Sequence, residues 1–113
     1  MIEVTTIRYL STALEVPVYA ERPENPDPSY VLVERTASSK HDQISTATLA
    51  VQCYAPSMLS AATLCEEVLR AMEDFDVLPE ISSCDLNSAY NFSDPETREY
   101  RYQAVFDLVY YNN

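Results

Sequence analysis

The pattern of apolar and polar residues is clearest at the end of the chain, from Glu99 to Tyr111. Every second residue there is aromatic or aliphatic: Tyr100, Tyr102, Ala104, Phe106, Leu108 and Tyr110. This alternation predicts a β-strand with one face in a core. At about 3.3 Å per residue the strand would be roughly 40 Å long, whereas a domain of this length has a radius of gyration of about 13 to 14 Å. We therefore expect the strand to cross the whole domain and to overhang it.

The strongest helical periodicity follows Ser57, which is well placed to cap a helix from Met58 to about Phe75. Apolar residues recur at spacings of three and four: Met58, Ala61, Ala62, Cys65, Val68, Leu69, Met72 and Phe75. This spacing predicts an amphipathic helix that packs on the sheet.

Shorter patterns predict the other elements. We expect a short helix over Ile2–Leu14 and strands over Val16–Ala20, Tyr30–Thr36, Ile44–Tyr54 and Glu80–Phe92. Pro17 places the first strand at a sheet edge. In the last of these strands, four residues are predicted to share a face: Cys84, Leu86, Tyr90 and Phe92. Polar segments predict the loops, Glu21–Ser29, Ala37–Gln43 and Ser93–Arg98.

The elements predict a single α+β domain over residues 1–113, with a mostly antiparallel sheet. The long helix packs on one face beside the short N-terminal helix, and the chain ends in a long β-hairpin. The predicted core is Ile7, Leu10, Leu32, Leu49, Val51, Cys53, Met58, Cys65, Val68, Met72, Leu86, Ala104, Phe106 and Leu108.

Glycine is absent from the 113 residues, whereas proline occurs 7 times. Because glycine adopts positive φ at the lowest cost, tight two-residue hairpin turns are disfavoured and longer loops are expected. The missing glycines also exclude glycine-rich phosphate-binding loops.

The net charge of −11, from 7 basic and 18 acidic residues, opposes binding to nucleic-acid phosphates. Acidic residues concentrate between Glu66 and Asp85, where Arg70 is the one basic residue. This cluster serves either solubility alone or a negative surface with a role. The candidate acidic surface is Glu66, Glu67, Glu73, Asp74, Asp76 and Glu80.

The sequence offers little material for catalysis. The 3 cysteines, Cys53, Cys65 and Cys84, lie in separate elements without zinc-site spacing, which favours small buried residues in a reducing compartment. The one histidine, His41, lies in a polar segment without a partner at a recognisable spacing. We expect no enzymatic activity, no cofactor and no metal. From the composition of its first residues and the lack of a long apolar run, we also expect neither a signal peptide nor a membrane span.

Of the 9 tyrosines, four lie in the last strand and Tyr90 lies in its predicted partner. A tyrosine combines an apolar ring with a polar tip, which suits either a protein interface or a core.

Three stretches resemble the tail-terminator, or tail-to-head joining, proteins of long-tailed phages. They are VPVYAERPENPDPSYVLVERT (16–36), ATLAVQCYAPSMLSAATLCEEV (47–68) and EYRYQAVFDLVYYN (99–112), in an order of elements that also matches. Nearly the whole chain is covered. The segment ASSKHDQ departs from the family, which often has glycine there.

The resemblance implies a structural virion protein at the tail–head neck, assembled in the cytoplasm of the bacterial host. Such proteins form a ring, usually a hexamer, that caps the tail tube, stops its polymerisation and joins it to the head connector or head-closure protein. On this view the acidic surface lines the DNA channel. Candidate contacts between subunits or with partners are Arg22, Pro23, Asn25, Pro26, Asp27, Lys40, His41, Asp42, Asp94, Glu96, Arg98, Tyr100 and Tyr102.

Two alternatives stay open. One is a head-closure or other neck protein of the same virion. The other is a small ligand-binding regulatory domain, in which helices on one face of the sheet leave a cleft.

Overall fold

Two helices and five strands follow one another in the computed structural model, which describes residues 1–97 and 99–111. They are α1 (Ile2–Ala13), β1 (Val18–Tyr19), β2 (Tyr30–His41), β3 (Ile44–Ala55), α2 (Met58–Met72), β4 (Ile81–Asn91) and β5 (Tyr100–Tyr111). The strands form one sheet in the order β1-β2-β3-β5-β4, with β1 parallel to β2 and the other pairs antiparallel. The predicted α+β class and mostly antiparallel sheet are confirmed.

The pairing of β3 with β5 is the longest regular feature of the sheet. It runs from Ile44 opposite Tyr111 to Ala55 opposite Tyr100 without a shift in register. Because side chains alternate along both strands, the pairing gathers the apolar residues of one parity on one face. The inward set Ala47, Leu49, Val51 and Cys53 is buried there, as the sequence predicts.

Both helices pack on this apolar face, α2 over β3 and β5 and α1 over β1 and β2. Within residues 1–97 and 99–111, no helix is long and apolar enough to cross a membrane. The opposite side of the sheet, which we call the open face, carries no helix.

Most of the predicted core is buried, including Leu10, Val68 and Phe106. Two predictions are wrong: Met58 is 36% exposed at the start of α2, and Leu86 is 51% exposed on the edge strand β4. Ile7 and Leu32 are half-buried. Of the completely buried side chains, the largest outside the predicted core are Phe75, Val31 and Val33, and the larger Tyr30 and Tyr54 are nearly completely buried as well.

The segment Ala37–Gln43 is mostly strand, and its prediction as a loop is wrong. β2 continues to His41, and Asp42 and Gln43 alone connect it to β3. Asp42 adopts φ 57°, a left-handed conformation that aspartate tolerates better than most residues other than glycine. The longer loop expected between these strands is therefore absent, and the chain uses a two-residue turn of the kind that the missing glycines were expected to disfavour.

A β-bulge corrects the predicted faces of β4. The register with β5 shifts between Leu86 and Ser88, so that Tyr90 lies opposite Gln103. A bulge adds one residue to one strand and reverses the parity beyond it. Tyr90 consequently lies on the open face, whereas Cys84 and Leu86 lie on the helix side.

The long helix begins where predicted and ends three residues early. Ser57 and Ser60 form a reciprocal capping box, with the Ser60 amide donating to the Ser57 hydroxyl at 3.1 Å. After Met72 the chain tightens into a 3₁₀ turn over Phe75–Val77. This turn directs the Phe75 ring inward, edge-on to Tyr9 with 5.0 Å between ring centroids.

The domain measures 44 × 25 × 25 Å with a radius of gyration of 13.9 Å, in agreement with the predicted strand length. The last strand was expected to overhang the domain. β5 is, however, paired on both sides along most of its length. Glu34–His41 of β2 are all exposed instead. We call residues 34–43, which include the turn, the overhang.

Phe75 is the natural test of the helix layer, because its ring is completely buried. Phe75→Ala should lower the free energy of unfolding by about 3 to 5 kcal/mol, through lost burial and a cavity. Urea unfolding followed by circular dichroism measures this change. The control is Val77→Ala in the same turn, where 72% exposure predicts a change below about 0.5 kcal/mol. Equal effects of the two variants would contradict this packing.

Candidate functional site

The candidate contact residues lie at two opposite ends of the sheet. At the first end residues 21–29, which we call the proline loop, meet the residue before β5, since Arg22 Nη1 lies 3.0 Å from Glu99 Oε1. The other predicted contacts of this loop are exposed or half-buried: Pro23, Asn25, Pro26 and Asp27. Both partners of the ion pair are partly solvated, so it positions the loop more than it stabilises the fold.

The connection between β4 and β5 lies at the same end. The Asp94 carboxylate accepts a hydrogen bond from the Glu96 amide at 2.9 Å, and this bond lowers the pKa of Asp94. Tyr100 and Tyr102 follow as half-buried residues, and Tyr102 packs against the core. Arg98 lies outside the described residues.

Lys40, His41 and Asp42 lie at the second end, on the turn between β2 and β3. His41 Nε2 is 3.6 Å from Asp42 Oδ2, and their side chains are 97% and 86% exposed. The two ends are eleven residue pairs apart along the β3–β5 ladder, which is about 36 Å. The predicted contacts of the proline loop and of the β4–β5 connection thus lie together at one end of the sheet. Those of the turn between β2 and β3 lie at the other end.

The open face carries a hydrogen-bonded chain that the sequence analysis did not predict. Gln52 Nε2 donates to Gln103 Oε1 at 2.9 Å, and Gln103 Nε2 donates to the Tyr90 hydroxyl at 2.5 Å. The Tyr54 hydroxyl donates to Gln52 Oε1 at 3.1 Å and accepts from Arg101 Nη1 at 2.8 Å. These five side chains link β3, β5 and β4, and we call them the polar ladder.

Aromatic rings surround the polar ladder at the first end of the sheet. The Arg101 guanidinium lies 4.5 Å from the ring centroid of Phe92 and 5.6 Å from that of Tyr54. Tyr54 stacks on Tyr30 with 4.6 Å between centroids. Burial raises the pKa of Tyr30, and the positive charge of Arg22 offsets part of this effect. Cation–π and stacking contacts therefore shield this half of the open face without a helix.

The parity of Gln52, Tyr54, Arg101 and Gln103 was visible in the sequence. Their meeting depends on the register that sets Gln52 opposite Gln103 and Tyr54 opposite Arg101. Alternation alone does not fix that register, so the sequence analysis missed the ladder.

Towards the second end the open face is lined by small and acidic side chains. Asp107 accepts hydrogen bonds from Thr48 Oγ1 at 3.1 Å and Asn87 Nδ2 at 3.0 Å. Asp85 lies directly opposite Asp107 on β4, and both are exposed. Two carboxylates in this position repel one another, and the two hydrogen bonds offset part of the repulsion.

The acidic residues of the candidate surface are all exposed in the helix layer. Glu66 and Glu67 lie on α2, Glu73 and Asp74 follow it, Asp76 lies in the 3₁₀ turn and Glu80 precedes β4. They occupy two flanks of α2, because Glu66 and Glu73 border β4 whereas Glu67 borders the end of α1. Burial raises the pKa of Tyr9, and the nearby Asp74 and Asp76 raise it further.

A groove of about 420 Å³ separates α2 from β4. Leu69, Cys84, Leu86 and Phe106 contribute its apolar wall, and Glu66, Arg70 and Glu73 contribute its charges. These three charged side chains are exposed at the solvent rim. The groove offers a surface for contact, and its ionisable groups do not converge inside it.

The cysteines are free thiols. Cys53 and Cys65 are buried between β3 and α2, where contact with Cys65 and burial raise the pKa of Cys53. Cys84 is half-buried, and burial raises its pKa to about 12. Their predicted place in the apolar interior is confirmed for Cys53 and Cys65.

No protein-family model matches the chain, and no curated protein matches it by sequence. Within residues 1–97 and 99–111, no three of the side chains that bind metals cluster together. The function is therefore argued from the geometry of this chain and from the resemblance described above.

The polar ladder predicts an energetic coupling between Gln52 and Gln103. In a double-mutant cycle with Gln52→Ala and Gln103→Ala, the free energies of unfolding should deviate from additivity by about 1 kcal/mol. Urea unfolding of the four proteins measures the deviation. The matched cycle of Gln52→Ala with Thr12→Ala on α1 should be additive. A coupling below about 0.3 kcal/mol for the glutamine pair would contradict the ladder.

The raised pKa of Cys84 predicts the pH dependence of its alkylation. Only the thiolate reacts, so at pH 8 a thiol with a pKa of about 12 should react with iodoacetamide on the order of a thousand times more slowly than a solvated thiol with an ordinary pKa of about 9. In the folded protein, the rate should still rise at pH 10. Peptide-resolved mass spectrometry measures it, with the urea-unfolded chain as control. A half-maximal rate near pH 9 in the folded protein would contradict the burial of this thiol.

Proposed function

We propose that this protein is a structural subunit of a phage tail, namely the tail terminator. Copies of it form a ring on the last disc of the tail tube, stop tube polymerisation and join the tube to the head connector or head-closure protein. The ring belongs to the virion neck and is assembled in the bacterial cytoplasm. The chain carries out no reaction and needs no cofactor.

The observation that carries this proposal is the overhang. A lone domain gains little side-chain burial from a strand of this kind. All side chains from Glu34 to His41 are nonetheless exposed while their backbone keeps the β conformation. Such a segment suits a protein whose sheet is completed by neighbours.

The grooves of the described chain support the same conclusion. The groove between α2 and β4 keeps its three charged side chains at the solvent rim. A catalytic pocket instead gathers perturbed acids and bases in an enclosed space. This geometry favours a protein that presents surfaces to partners.

The two ends of the sheet are suited to the two axial partners of a ring. The proline loop and the β4–β5 connection form one contact surface, which includes Arg22, Asp94 and Glu96. The turn with Lys40, His41 and Asp42 forms the other. In this proposal β4 and β5 act as one long C-terminal hairpin that spans the ring from the tube side to the connector side.

The acidic helix layer then faces the channel of the ring. Glu66, Glu67, Glu73, Asp74, Asp76 and Glu80 would repel DNA phosphates and let the duplex pass without adhering. A structure of the ring tests this orientation, because it shows whether these acidic residues face the channel.

One further candidate is a ligand-binding regulatory domain, which the groove of about 420 Å³ favours, because this volume lies in the range of small-molecule sites. A metabolite that raises the melting temperature, and loses this effect in Leu86→Lys, would support that function. A head-closure protein would also form a ring, but would bind the connector without binding tail tubes.

The direct experiment is assembly on tail tubes. Light scattering and negative-stain electron microscopy of the purified protein, alone at high concentration and with purified tail tubes, should show rings of about six copies that cap the tubes. Capped tubes should stop growing when free tube protein is added. A protein that stays monomeric in both conditions and leaves tube growth unchanged would contradict the proposal.

A further inference from the structure

We propose that neighbouring copies of this protein join edge to edge, the outer edge of β4 in one copy pairing with the outer edge of β2 in the next. The inference rests on the proposed function, because it names the lateral contact that closes the ring. In the proposed contact, backbone hydrogen bonds join the sheet of one copy to the sheet of the next.

The edge of β4 is long and weakly protected. On the side away from β5, no described strand pairs with Ile81–Asn91. Natural edge strands are guarded by lysine, proline or inward-pointing charges, and these eleven residues contain Asp85 as their one charge. Apolar side chains remain exposed along it, with Leu86 at 51% and Tyr90 at 41%. Two bulges are its main protection, and they leave the backbone between them extended.

The edge of β2 matches it at the opposite side of the sheet. β1 pairs with Val31 and Leu32 alone, so in the described chain the outer edge from Val33 to His41 has no strand beside it. This stretch consists of Val33 and the strand part of the overhang, residues 34–41. Its middle, Thr36–Ser39, has small side chains that leave room for a second backbone. The two free edges are therefore of similar length, and β2 carries a bulge as β4 does, between Arg35 and Ala37.

Strand direction makes the two edges compatible in a ring. β2 and β5 run one way, and β3 and β4 run the other way. A rotation about an axis parallel to the strands preserves each direction, so β4 of one copy meets β2 of the next in antiparallel orientation. Because the two surfaces differ, the contact is head-to-tail, and such contacts produce a ring when the rotation between copies closes.

Charge favours the same pairing. Lys40 on the edge of β2 is exposed, and Asp85 on the edge of β4 is exposed. In a chain with a net charge of −11, most other surfaces of two copies repel one another. The β2 edge carries Glu34, Arg35 and Lys40, of which Arg35 already lies 3.4 Å from Glu3 (Nε to Oε2). The contact therefore sets an edge with a small positive charge against an edge whose one charge is Asp85. Pairing of β4 with β4 would instead bring Asp85 residues together.

The first test is hydrogen exchange measured by mass spectrometry on free subunits and on assembled rings. Peptides covering 33–41 and 81–91 should both exchange at least tenfold more slowly in rings, whereas α1 should be unchanged. Rings in which either edge exchanges as in the free subunit would overturn this inference and leave the tail-terminator proposal intact. Failure to form rings at all, with or without tubes, would overturn both.

The second test compares two exposed leucines. Leu86→Lys on β4 should abolish rings, because it places a cation against the basic edge of β2. Leu59→Lys on α2 makes the same change at a site that is 79% exposed and away from both edges, and it should assemble normally. Circular dichroism and melting temperature confirm that each variant folds. Normal rings from Leu86→Lys would overturn the edge pairing.

A mixing experiment tests the head-to-tail arrangement. Leu86→Lys keeps an intact β2 edge, so it can add to one end of a growing arc and then prevent closure. Small amounts mixed with the native protein should therefore convert rings into open arcs in electron micrographs. Closed rings in undiminished number would show that the two edges do not pair.

Discussion

The register between β3 and β5 is the constraint on which the rest of the structure depends. Twelve residue pairs are aligned without a break, from Ile44 opposite Tyr111 to Ala55 opposite Tyr100. A slip of one residue would turn every apolar side chain of one strand to the wrong face. The register decides that Leu49 and Phe106 meet under α2 and that Gln52 and Gln103 meet on the open face. On the helix side, the burial of apolar side chains favours this register. On the open face, the hydrogen bonds of the polar ladder favour it.

A mismatch in length then produces the overhang. A helix rises about 1.5 Å per residue and a strand about 3.3 Å, so α1 and α2 span about 18 and 22 Å beside strands of about 40 Å. The helices cannot cover a sheet of this length. The proline loop and the tyrosines shield the first end, through the Arg22–Glu99 pair and the stacked rings of Tyr30 and Tyr54. At the second end, small polar side chains on β2 keep the uncovered sheet compatible with water.

The sequence predicted the parts of the fold that depend on strong local patterns. The alternation in β5, the inward set of β3 and the cap at Ser57 all carry such a signal. The overhang carries no such local signal, because Ala37–Gln43 has no apolar alternation. Its β conformation comes from pairing with β3. Phe75 becomes buried through a 3₁₀ turn that a helical period does not predict. The polar ladder and the faces of β4 depend on register and on bulges, which are properties of strand pairs rather than of single strands.

The proposed function depends on a sheet that is longer than its helix layer and whose β2 and β4 edges, within residues 1–97 and 99–111, pair with no strand over most of their length. Lys40 is the one lysine of the chain and lies in the overhang, so endoproteinase Lys-C has a single site there. The most direct measurement is the rate of cleavage after Lys40 in the free subunit and in the assembly on tail tubes. The account predicts slow but measurable cleavage of the free subunit and strong protection in the assembly. Equal rates in both states would show that the overhang stays uncovered, and would contradict the central claim.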